Sequence, residues 1–207
     1  MHKLQFRIHS AAMLLLWAVG VLLLGSGCNR ALTAEEYVEW FENNRGKFSR
    51  TIERNGVKCT VRYMPTEYYA ARDMLSDTTL EHDAALRRYE NAIFLLIGIE
   101  SRSLGNHSIL LARDGWGGFK RNVFTNTFNR ADCVYLVNGT DTAMSVEYRY
   151  ERSWGLGDAD AFLFAFPRPK RLSMVNPSLV IRNIMPELGT VAIDIDHTWL
   201  NSRDLRG

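Results

Sequence analysis

Catalytic signatures are missing from this sequence. It holds no H-E-x-x-H pair for a metalloprotease zinc and no G-x-S-x-G elbow for a serine nucleophile. Cysteine is scarce: 3 residues in 207, none in a C-x-x-C pair, which leaves dithiol redox chemistry unsupported. An excess of one charge is also lacking. Lysine and arginine total 25 against 23 aspartates and glutamates, and Lys3 and Arg7 account for the whole surplus. From residue 28 onward the chain is formally neutral, so it has no electrostatic case for binding nucleic acid. No internal repeat, low-complexity tract or composition break divides it, which points to one domain after the opening segment.

Long apolar runs are absent too, apart from one at the start. Ala11 to Leu24 is apolar, with Lys3 and Arg7 before it and Gly25-Ser26-Gly27-Cys28 after it. A transmembrane helix needs about 20 apolar residues, and this run falls short of that. A positive start, an apolar middle and a small-residue end are the three parts of an export signal. Removing residues 1–27 would leave 180, enough for one domain with its own core. In an oxidising compartment Cys59 and Cys133 are permitted to pair.

Leu24-Gly25-Ser26-Gly27-Cys28 resembles the lipobox of bacterial lipoproteins, although Gly25 stands where a leucine or similar residue is usual. The resemblance implies that the Cys28 sulfur receives a diacylglyceryl group and that cleavage leaves Cys28 as the first mature residue. Each buried acyl methylene contributes about 0.8 kcal/mol, so several chains on one residue would hold a membrane firmly. Asn29 and Arg30 follow, with no acidic residue beside them. By the same resemblance, this implies an outer-membrane position facing the periplasm, with surface exposure as the alternative. Residues 28–32 are then a lipidated tether and residues 33–207 a single globular domain. In addition, Leu32-Thr33-Ala34-Glu35-Glu36-Tyr37-Val38-Glu39-Trp40, with Tyr63-Met64-Pro65 and Glu67-Tyr68, is similar to the start of a group of bacterial envelope lipoproteins with no established activity. That likeness implies an anchor and no mechanism.

Local patterns predict an α+β fold: a mainly antiparallel sheet, or a two-layer sandwich, with an N-terminal helix against it. Thr33 and Glu36 have capping-box spacing, and Tyr37, Trp40 and Phe41 recur at helical spacing, which predicts a helix from about Ala34 to Glu42. Asn55-Gly56 and Asn138-Gly139 predict type I′ hairpin turns. Val57, Cys59, Val61 and Tyr63 alternate with polar residues, as do Met144, Val146, Tyr148 and Tyr150, so each run predicts a strand with one buried face. Cys59 is thereby expected to be buried, paired or free. Thr66 is expected to cap a short helix, and a polar helix is expected over 79–89. The nearly continuous apolar run 92–99 predicts a central strand buried on both faces, and 161–166, 178–184 and 189–196 predict further strands.

Two clusters carry the candidate chemistry. Asp194 and Asp196, alternate residues on a strand, would sit about 6.6 Å apart beside His197, a pair that a divalent cation or an acid–base mechanism could use. The same alternation places Val191, Ile193 and Ile195 inward and leaves the aspartates on the solvent face. Trp116 in Asp114-Gly115-Trp116-Gly117-Gly118 and Trp154 in Ser153-Trp154-Gly155 are expected on glycine-rich loops, where an indole can present a flat face to a sugar ring or a partner side chain. Asp158 and Asp160 beside Gly155-Leu156-Gly157 are expected in a turn, and Arg168, Lys170 and Arg171 in a solvated one. The expectation is a membrane-anchored, non-enzymatic binding or envelope accessory module. It would need no cofactor, and its partner would be an envelope protein or a glycan. The alternative is an envelope hydrolase working through Asp194, Asp196 and His197.

Overall fold

Thr33 starts the first helix through the reciprocal contacts predicted from its spacing to Glu36. Its hydroxyl accepts the Glu36 amide at 3.3 Å, and the Glu36 carboxylate accepts the Thr33 amide at 2.9 Å. The computed structural model describes residues 32–101, 115–151, 159–168 and 177–195, all within one compact unit, Leu32–Leu205. Helix α1 (Ala34–Asn43) turns Tyr37 and Phe41 into the core, fully buried. Asn44 ends it, with its side-chain amide donating to the Trp40 carbonyl at 2.7 Å. A 3-10 turn, Arg45–Phe48, then folds Phe48 back against Phe41 and Trp40.

Strands β1 (Ser49–Arg54) and β2 (Val57–Met64) pair through Asn55-Gly56, whose φ angles of 49° and 74° are those of the predicted type I′ turn. Helices α2 (Thr66–Ser76) and α3 (His82–Arg87) lead into β3 (Ala92–Ser101). After helix α4 (Gly115–Phe128) come β4 (Val134–Asn138), β5 (Asp141–Met144), β6 (Glu147–Glu151), β7 (Asp160–Pro167), β8 (Ser178–Arg182) and β9 (Thr190–Asp194). They form two antiparallel sheets, one ordered β1-β2-β3-β7-β6 and the other β5-β4-β8-β9.

A period of two sorts the side chains. Val57, Cys59 and Val61 of β2, Leu95 and Ile97 of β3, and Phe164 of β7 are buried on one face of the first sheet. They share a single hydrophobic core with Val134, Leu136, Leu179, Ile181 and Val191 of the second sheet. This is the expected α+β arrangement, with two sheets meeting over one core and α1 packed into it.

Several local expectations fail for identifiable reasons. The second hairpin forms, but Asn138 pairs with Asp141 and Gly139 opens the turn at φ 61° with no positive φ at Thr140, so the turn is of the II′ kind. The run from Met144 to Tyr150 is not one strand. It breaks at Ser145 and Val146, where the chain passes from the second sheet to the first, and Val146 is left exposed. Pro65, not Thr66, is the N-cap of α2, because its extended ψ and missing amide suit a helix entry; Thr66 is the first helical residue. The helix expected over 79–89 is confined to His82–Arg87, since the Asp77 carboxylate takes both the amide and the hydroxyl of Thr79 in a local turn that competes with helix. Strand β3 is fully buried on only one face: Phe94, Leu96 and Gly98 on the other are half-exposed.

Candidate functional site

That second face of β3 carries two adjoining concavities lined by described residues. Register aligns one residue from each strand of the first sheet into a single transverse row: Ser49, Arg62, Leu96, Leu163 and Arg149. Neighbouring strands lie about 4.8 Å apart, so the backbones of Arg62 and Arg149, three strands apart, are separated by about 14 Å, with two leucines between them. The next row is small up to its last member: Thr51, Thr60, Gly98, Ala161 and then Glu151.

Helices α1 and α2 roof one end. Phe41, Tyr68 and Tyr69 hang over Arg62, Leu96 and Leu163 and enclose a cleft of about 260 Å³. A second cleft of about 390 Å³ continues over Thr60, Gly98 and Ala161, and the two share Arg62 and Leu96. Together they form a trough along the outer face of the sheet. Its aromatic wall is tied down from outside: Phe41 packs on Tyr68 at 4.7 Å, Tyr69 packs on Phe94 at 4.8 Å, and the Tyr68 hydroxyl donates to Glu42 at 2.7 Å.

The roofed cleft is cationic. Arg45, Arg62, Arg72 and Arg149 line it against only Glu42 and Glu151. Arg45 pairs with Glu42 and Arg149 with Glu151. Arg72 lies over the Tyr68 ring at 5.9 Å. Arg62 donates its Nε to Ser49 Oγ at 3.1 Å, and among the described residues no carboxylate pairs with it. Burial, and then the neighbouring Arg45, pull the Arg62 pKa below the ordinary arginine value, with Tyr68 acting in the opposite sense. Burial, followed by the Glu151 charge, pushes the Tyr69 phenol up, so it stays protonated. The arrangement offers cationic donors at both ends of an apolar floor.

The sequence candidates do not converge here. Asp194 is exposed on β9, between buried Val191, Ile193 and Ile195, and accepts Ser178 Oγ at 2.7 Å. Among the described residues no three His, Cys, Asp or Glu side chains are grouped to hold a metal. Trp116 lies in the first turn of α4, not in a loop. Its glycines cost helix propensity, but the helix end is fastened by Arg130, which donates its Nε to Asn126 at 2.8 Å and its amide to the Tyr148 hydroxyl at 3.0 Å. Cys28, Trp154, Asp158, Lys170, Arg171, Asp196 and His197 lie outside the described residues. Asp160 opens β7 instead of lying in a turn; it is buried and accepts the Tyr150 hydroxyl at 3.1 Å. Arg168 is half-buried: its amide donates to the Asn91 carbonyl at 2.8 Å, and its guanidinium reaches the Tyr63 hydroxyl at 3.5 Å. Cys59 and Cys133 are both free thiols.

Arg62 does not stand out in the sequence, because Lys58, Thr60 and Arg62 are the polar half of an alternating strand. The available signal was the apolar half of the opposite pattern: Phe94 and Leu96 need a cover, and polar neighbours on β2 cannot be the whole of it. Among the described residues no helix is long and apolar enough to cross a membrane. Comparison with protein families, curated proteins and solved structures finds no match.

Proposed function

We propose that this chain is a membrane-anchored bacterial lipoprotein that acts as a non-enzymatic binding module of the cell envelope. Lipid on Cys28 holds it to the outer membrane, facing the periplasm, and a ligand occupies the trough on the outer face of the first sheet. The observation that carries the binding part is the transverse row itself: two arginines flanking two leucines beneath an aromatic roof, with a floor of small side chains left open beside it. The anchoring part is supported by the charged start, the apolar run and the small residues before Cys28. Expressing the full chain with an alkyne-tagged fatty acid tests the anchor. The wild-type chain should take up label and sediment with membranes, and Cys28→Ser should remain unlabelled. Equal labelling of both would overturn the assignment of Cys28.

A further inference from the structure

We infer that the trough binds a single-chain amphiphile whose oxyanion head, a carboxylate or a phosphate, pairs with Arg62. The inference rests on the reading of the trough as a ligand site and names the ligand class.

The head-group position follows from the charge imbalance around Arg62. A half-buried guanidinium loses hydration, and placing a second guanidinium nearby adds repulsion. Folded chains offset such a charge with a carboxylate, as Arg45 does with Glu42 and Arg149 with Glu151. Among the described residues Arg62 has only the Ser49 hydroxyl, on its Nε, which leaves both of its terminal nitrogens for a bidentate oxyanion. Arg72, held over the Tyr68 ring, supplies a second cation in the same cleft.

The tail position follows from the floor. Leu96 and Leu163 continue the row away from Arg62, and Gly98 and Ala161 beside them project almost nothing into the trough. Together the two clefts reach the size of small-ligand sites, about 300–1,000 Å³, and their lining is mixed: charged side chains stand around an apolar strip of Leu96, Leu163, Gly98 and Ala161. A free inorganic anion would leave the apolar floor unused, and a neutral chain would leave Arg62 uncompensated.

Gly98 provides a variant that fills the trough without touching the charge. A Cβ built there meets its nearest neighbours, Ala159 Cβ and the Thr60 carbonyl, at 3.9 Å, which is ordinary contact. Gly98→Leu therefore places its bulk into the open trough and leaves Arg62 in place.

The test titrates dodecanoate, dodecyl phosphate, dodecanol and inorganic phosphate into residues 29–207 by calorimetry. That span retains the whole core, from Tyr37 to Ile195. The two anionic amphiphiles should bind, and dodecanol and inorganic phosphate should bind far more weakly. Arg62→Met should weaken amphiphile binding about tenfold to a hundredfold, as expected for loss of a charge-assisted pair, while its melting temperature holds or rises. Gly98→Leu should weaken the amphiphiles with its melting temperature kept, which covers the case in which Arg62→Met fails to fold. Inorganic phosphate binding as tightly as dodecyl phosphate would overturn the tail, and dodecanol binding as tightly would overturn the head. Undiminished amphiphile binding by folded Arg62→Met would also overturn the head assignment. If no amphiphile binds, the ligand class is wrong. The trough can still be a site for another ligand, which crosslinking from its floor in cells would report separately.

Discussion

Cys59 sits between Val57 and Val61 on the buried face of β2 with no exposed surface, and burial pushes its thiol from 9.0 up to about 12. The unfolded chain therefore gives up this proton at a lower pH than the folded chain does. The stability linked to Cys59 is complete below about pH 9 and declines as pH rises toward about 12, with a slope of about 1.4 kcal/mol per pH unit. Cys59→Ala should remove that slope. In urea unfolding, the loss of stability between about pH 8 and about pH 10 should be smaller in Cys59→Ala by about 1 kcal/mol. An unchanged difference would mean that Cys59 meets water in the folded state. Alkylation should run in parallel: Cys133, partly exposed, reacts in the folded protein, and Cys59 reacts only on unfolding. The position of Cys59 was readable from alternation alone, because one buried face per strand is what its neighbours already required.

At the level of elements, legibility tracks how local the determining contacts are. The α1 cap is settled by two residues three apart, and Asn55-Gly56 by the φ angles that type I′ demands, so both could be read directly. Thr33→Ala should cost about 1 kcal/mol in chemical denaturation, the usual value for a lost cap. Phe41→Ala, which opens a hole among Tyr68, Phe48 and the sheet, should cost about 3–5 kcal/mol. If both changes were equally mild, α1 would not be packed into the core. At Asn138-Gly139 the same dipeptide produced a different turn, because the register of β4 on β5 puts Asn138 in the last ladder pair and leaves Gly139 to turn. The break at Ser145 and Val146 was hidden for a related reason. Apolar residues at every second position look alike whether they belong to one strand or to two strands in different sheets. Trp116 illustrates a third limit: Gly115, Gly117 and Gly118 read as a loop, yet the helix begins among them.

At the scale of the whole molecule, the trough exists only once four strands are in register. Arg62, Leu96, Leu163 and Arg149 come from β2, β3, β7 and β6, and neither spacing nor composition links them before the sheet is assembled. The two sheets bury their inner faces against each other, and α1 and α2 cover one end of the outer face of the first sheet, so the stretch over Thr60, Gly98 and Ala161 is the part of that face left open. For that reason trough substitutions such as Gly98→Leu should change binding with little change in stability. The most direct test is site-specific photo-crosslinking in intact cells, with the crosslinker placed on the trough floor at Thr60 or, as a control, at exposed Ala192 of β9 on the other sheet. The account predicts a discrete adduct from Thr60, absent from Ala192 and lost when Gly98→Leu is added or when Cys28→Ser removes the anchor. Adducts from Ala192 but not from Thr60, or Thr60 adducts indifferent to Gly98→Leu, would contradict it.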